Sequence, residues 1–162
     1  MIQQFVVAAL VSFGTLQATK PPSDFGFQLL SGVCSFEEVD TTQSRYTRVA
    51  PDGRKSAKVK LSHSERQTLF DLVMAAKFFD MPVEIRPPVV DGMITVTSPS
   101  AEYRLQVRLG GKTHTVSFHH SSPSMTDEGR RFFQLVQDIL SVYRQRREVQ
   151  RLPKTAFEVY CL

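Results

Sequence analysis

The chain has 162 residues, 41% hydrophobic and 22% charged, enough for one domain with its own core; this excludes a disordered or low-complexity protein. A formal net charge of +4 is too mild to argue for nucleic acid, and no motif of a nucleic-acid binder accompanies it. The two cysteines, Cys34 and Cys161, are too few and too far apart for a zinc ribbon or a thioredoxin-type C-x-x-C.

Residues 1–18, MIQQFVVAALVSFGTLQA, carry no charged side chain. Their apolar run, 5–13, has the length of a signal-peptide core and is too short to span a bilayer. Leu16-Gln17-Ala18 offers a cleavage site, so the expected mature chain is secreted or periplasmic, with no transmembrane segment. The other reading of this stretch is a first strand or short buried helix. Pro21-Pro22 marks 19–24 as a linker, and 25–162 as a single α+β domain with a basic helix end and tail.

Within that domain, residues 25–33 read as a first strand, and 35–42, with Glu37, Glu38 and Asp40, as a short acidic loop. That loop lacks the spaced ligands of an EF-hand. Residues 45–50 and 54–61 flank the turn Pro51-Asp52-Gly53 and form a hairpin. Its expected outer face is basic: Arg45, Arg48, Arg54, Lys55, Lys58 and Lys60 against Asp52 alone. The strongest helix signal follows at 61–82. Ser62 and Glu65 have capping-box spacing, Leu69, Leu72, Val73, Ala76 and Phe79 make an apolar stripe widened by Phe70, Met74 and Phe78, and Pro82 ends it.

Beyond Pro82, residues 83–91 read as an extended loop through Pro87-Pro88, and 93–97 as a short strand. A second hairpin is the clearest feature of the chain. Gly110-Gly111 suits a two-residue turn, which pairs Leu109 with Lys112, Val107 with His114, Leu105 with Val116 and Tyr103 with Phe118. A second helix follows, with Asp127 and Glu128 in its first turn. Phe132, Leu135, Val136, Ile139, Leu140 and Tyr143 form its apolar face, and Arg144, Arg146, Arg147 and Arg151 load its C-terminal end. Residues 156–162 alternate as a short last strand would.

Catalytic constellations are missing from the sequence: there is no G-x-S-x-G elbow, no histidine beside either cysteine and no phosphate-binding glycine loop. No cofactor is expected. His114, His119, His120 and Glu102 are the metal-ligand candidates, although neighbouring strand residues point to opposite faces. Arg45, Arg48, Arg54, Lys58 and Lys60 are the anion-binding candidates. In an oxidising compartment Cys34 and Cys161 could pair, and closing so long a loop stabilises a fold by about 5 kcal/mol when the bond is unstrained.

The order of a hairpin, the LSxxExxxLFxLVxxAxFFxMP helix, a hairpin with YRLQVRLGGKTHTVSF and a final helix resembles a group of small uncharacterised bacterial exported domains. Their layout includes a strand ending in a glycine turn, here Ser31-Gly32-Val33-Cys34, and a DG turn, here Asp52-Gly53. It is also similar to emfourin-type protease inhibitors, which are shorter. The resemblance covers residues 25–143 and rests on turns and core positions, so it carries over no catalytic residue.

The expected architecture is an antiparallel sheet of two β-hairpins plus short strands, with two helices packed on one face, in the order β-β-β-α-β-β-α. Three functions remain open: an exported, non-enzymatic domain that binds a protein partner, in inhibitor fashion or otherwise; a metal-binding protein or hydrolase using His114, His119 and His120; and a domain binding anionic surfaces through a basic sheet face.

Overall fold

The computed structural model describes residues 20–33, 36–89, 91–94, 100–120 and 125–155. The leader at 1–18, Cys34, Cys161, the strand expected at 156–162 and most of that expected at 93–97 lie outside the described residues. The strands are β1 (Gly26–Gly32), β2 (Glu37–Asp40), β3 (Arg45–Ala50), β4 (Gly53–Lys58), β5 (Glu84–Ile85), β6 (Ala101–Leu109) and β7 (Lys112–His120). The helices are α1 (His63–Ala75), α2 (Asp127–Arg144) and the single turn α3 (Arg147–Gln150), with a 3-10 turn at Phe78–Asp80.

The strands form one sheet in the order β4-β3-β2-β1-β6-β7-β5, antiparallel except where β5 joins β7. The β6–β7 register is the one the Gly110-Gly111 turn predicts, Leu109↔Lys112 through Tyr103↔Phe118. Both glycines take positive φ, 58° and 74°, as a primed hairpin turn requires. Asp24, within the stretch read as a linker, clamps this turn: its carboxylate accepts from the amides of Gly110 at 3.2 Å and Gly111 at 2.7 Å. β1 lies between β2 and β6 and so joins the two halves of the sheet.

Among the described residues four strands, not three, precede α1. Residues 37–40, expected as acidic loop, are β2, and Thr41–Ser44 is its turn. Asp40 builds that turn, accepting at Oδ1 from the Thr42 amide (2.9 Å), the Thr42 hydroxyl (2.6 Å) and the Gln43 amide (3.2 Å). The expected loop at 83–91 likewise holds β5, whose Ile85 is buried opposite Phe118.

The helices start where their caps place them. Ser62 and Glu65 exchange both capping-box hydrogen bonds, at 3.2 and 2.7 Å, and the Thr126 hydroxyl accepts from the Gly129 amide at 3.1 Å. α1 stops at Ala75, short of Pro82, because Lys77 turns left-handed (φ 51°) and swings Phe78 inward; Met74 is left half-exposed. The buried residues of both long helices join the inward side chains of the strands in one core. Phe70 meets Phe25 edge-on, Tyr143 stacks on Tyr46 and meets the edge of Phe27, and Phe132 meets Phe118. Among the described residues no helix is long and apolar enough to cross a membrane.

One inward position is a carboxylate. Glu37 is buried, yet it accepts from the Tyr46 hydroxyl and from both Nε (3.0 Å) and Nη2 of Arg144, at the end of α2. The Arg48 guanidinium lies 3.9 Å away and donates to the Tyr46 oxygen at 3.1 Å. Burial pushes the Glu37 carboxyl up, but the hydrogen bonds from Arg144 and Tyr46 and the charges of Arg144 and Arg48 outweigh it, and its pKa is lowered. The Tyr46 hydroxyl is pushed up to about 12, by burial first and then by Glu37.

Removing one partner of a buried pair strands the other, at a cost of about 3–5 kcal/mol when both are buried. Arg144 is 43% exposed, so a Glu37→Gln variant should lose less, about 2–3 kcal/mol, in urea unfolding at neutral pH. A group whose folded pKa is lowered stabilises above its unfolded value, near 4.5, and loses that contribution as pH falls through the folded value. The gap between wild type and Glu37→Gln should therefore narrow below about pH 4.5; a gap unchanged between pH 7 and 3 would show that the charge of Glu37 contributes nothing.

Candidate functional site

Because side chains alternate along a strand, the residues between the core positions face the other way. The ladder registers order them into rows across the sheet. One row runs Lys58, Arg45, Asp40, Gln28, Gln106 and Thr115; the next runs Ser56, Thr47, Glu38, Leu30, Arg104 and Ser117. Gln28, Arg45, Ser56, Lys58 and Arg104 are exposed, so this outer face is open to solvent at those positions.

Much of the outer face is satisfied across the strands. Thr47 and Ser56 share a hydroxyl–hydroxyl bond of 2.9 Å, and the Gln106 amide donates to Thr115 at 3.1 Å. Every carboxylate near the centre is engaged. Glu38 is paired with Arg54. Asp40 accepts at Oδ1 from its turn and at Oδ2 from Gln28 at 3.2 Å. Burial raises the Asp40 pKa, but the bonds from Thr42, Gln43 and Gln28 prevail and it is lowered, so the group is a fixed anion with its acceptors occupied.

The cations are not all answered. Arg45 stands directly opposite Lys58 on one side, an unfavourable like-charge pairing, and opposite the committed Asp40 on the other. Arg104 faces Leu30 and Ser117. Neither guanidinium has a hydrogen bond or ion pair to another described residue. Between them lies a cleft of about 380 Å³ across β2, β1 and β6, with the aliphatic side chain of Leu30 and the amides of Gln28 and Gln106 in its wall. A second cleft, between α1 and the α2–α3 junction, is lined by Glu65, Arg146 and Glu148, but these are paired with one another at 2.8 and 3.3 Å and brace the helices.

The remaining candidates scatter. Arg48 and Arg45 are three apart, so Arg48 points to the opposite face and serves Glu37 and Tyr46. Arg54 is held by Glu38, Lys55 by Asp52 at 2.8 Å, and exposed Lys60 lies beyond the end of β4. Of the arginines at the end of α2, Arg144 serves Glu37 and Arg146 serves Glu65 and Glu148. Reading the 45–61 hairpin alone as basic missed Glu38, which reaches it from the neighbouring strand.

His114 and His119 are not brought together. His114 is turned inward against Phe78 and Phe79, with Nε2 2.9 Å from the Met81 carbonyl oxygen. His119 is exposed on the outer face opposite Glu102, and His120 is paired in the ladder with Ala101. Among the described residues no three His, Cys, Asp or Glu side chains group as metal ligands. Zinc added to the purified chain should leave its thermal midpoint unchanged, and His119→Ala should respond identically; a zinc-dependent rise abolished in that variant would restore a metal site.

Searches against protein-family models and against curated proteins found no match for this chain.

Proposed function

We propose that the chain is an exported, non-enzymatic binding domain that uses the outer face of its sheet to hold an acidic segment of a protein partner. In this reading α1 and α2 form one layer over the inner face and leave the outer face free. The observation that carries it is the imbalance on that face: Glu38 and Asp40 are committed internally, whereas Arg45 and Arg104 border a cleft without a described partner. An anionic guest would relieve the Arg45–Lys58 opposition and complete two guanidinium forks.

Export rests on the uncharged apolar leader, and in an oxidising compartment Cys34 would be joined to Cys161. Intact mass spectrometry of the exported chain should find a start at Thr19 and no thiol open to alkylation without reduction. A chain retaining Met1, or alkylated twice as isolated, would remove this part of the reading.

Immobilised protein incubated with a periplasmic or culture extract should retain a partner that an Arg45→Glu/Arg104→Glu variant releases. A Met74→Glu variant, altered at a half-exposed position of α1 instead, should retain it. Equal retention by the double variant would move the working surface elsewhere, and a partnerless monomer would count against binding as the role.

A further inference from the structure

The spacing of the two unanswered arginines specifies what kind of acidic segment fits. Arg45 is on β3 and Arg104 on β6, with β2 and β1 between them. Three inter-strand steps of about 4.8 Å, with a two-residue offset along the strands, separate their Cα atoms by roughly 16 Å. Both side chains are long and can lean towards the cleft between them, which shortens the span to be bridged. An extended peptide lying across the strands advances about 3.3 Å per residue, so four residues cover about 13 Å. In such a peptide positions i, i+2 and i+4 face the same way, whereas i+5 faces away. Two carboxylates that both reach the sheet are therefore at i and i+4.

The intervening position is constrained as well. The side chain at i+2 comes down over Leu30 and Gln28, beside Glu38 and Asp40. A third carboxylate there would meet two fixed anions, so the site favours an apolar residue on Leu30.

Resting on the binding-face reading above, we infer that the outer cleft recognises an extended segment of the pattern acidic–x–apolar–x–acidic, one carboxylate on Arg45 and the other on Arg104. The segment crosses the strands and does not extend the sheet at an edge. Position x points to solvent and is unrestricted. Shape and charge on β2, β1 and β6 read the pattern; Lys58 adds general attraction.

Fluorescence anisotropy with the full chain tests it. The probe is a labelled, capped peptide Gly-Glu-Ser-Leu-Ser-Glu-Gly, and the comparison is its scramble with adjacent glutamates. The ordered peptide should bind at least tenfold more tightly than the scramble. Arg45→Ala and Arg104→Ala should each weaken it about tenfold, the loss expected for one charge-assisted pair, while Arg131→Ala, exposed on α2, should not. Urea midpoints of the variants check that the fold is intact. Equal binding of both peptides, or equal competition by heparin or by vesicles containing phosphatidylglycerol, would overturn the inference in favour of unselective anion attraction. Failure of the peptide while the extract partner still needs Arg45 and Arg104 would remove the pattern and leave the binding face standing. Loss of both would remove both.

Discussion

Placing Glu37 inside the protein is what makes the first half of the sheet possible. β2 is four residues long and three of them are acidic, a composition that β-structure ordinarily avoids. It becomes a strand because its inward carboxylate is met by Tyr46 from the adjacent β3 and by the forked guanidinium of Arg144 from the far end of α2. That contact spans 107 residues of sequence and fastens the second helix to the sheet. Without β2, β3 and β4 would be an isolated hairpin, of marginal stability in water, with no neighbour joining it to β1.

The same arrangement decides which charges are available to a partner. Arg144, Arg48 and Arg146 are drawn into ion pairs within the fold, and Arg54 is taken by Glu38. Much of the basic character visible in the sequence is thus structural. What remains on the outer face is small in number but fixed in position, because each residue stands on a ladder whose register is set by a turn. Rigid strands hold charges accurately, and accuracy is what a spaced pattern of guanidiniums needs.

How much of this was legible in the sequence follows the range of the interactions. The β6–β7 register was readable because turn chemistry and apolar alternation lie within 20 residues and agree. The starts of α1 and α2 were readable from Ser62 and Glu65 and from the acidic first turn Asp127-Glu128 for the same local reason; which residue caps α2, Thr126, was not. β2 was not, since its signal is a buried Glu whose partner is a distant Arg. The end of α1 was misread because the helical stripe continues through Phe78 and Phe79 although Lys77 has already left the helix. In that case packing decided between two conformations that the pattern alone could not separate.

The candidate site was harder still, because it is defined by interactions that are not made. Listing cations along the 45–61 hairpin gave Arg45, Arg48, Arg54, Lys58 and Lys60 equal standing, and strand parity already divides them, since Arg48 cannot share a face with Arg45. The sequence does not single out Arg104, because its alternation with Gln106 and Arg108 is that of any solvated strand face. Only the strand order brings it within reach of Arg45, and only the commitments of Asp40 and Glu38 show that no described neighbour neutralises it. The general consequence is that a binding face of this kind is found by subtraction. Carboxylates and guanidiniums that satisfy one another belong to the fold, and those held in register without a partner are where a second molecule gains most by binding.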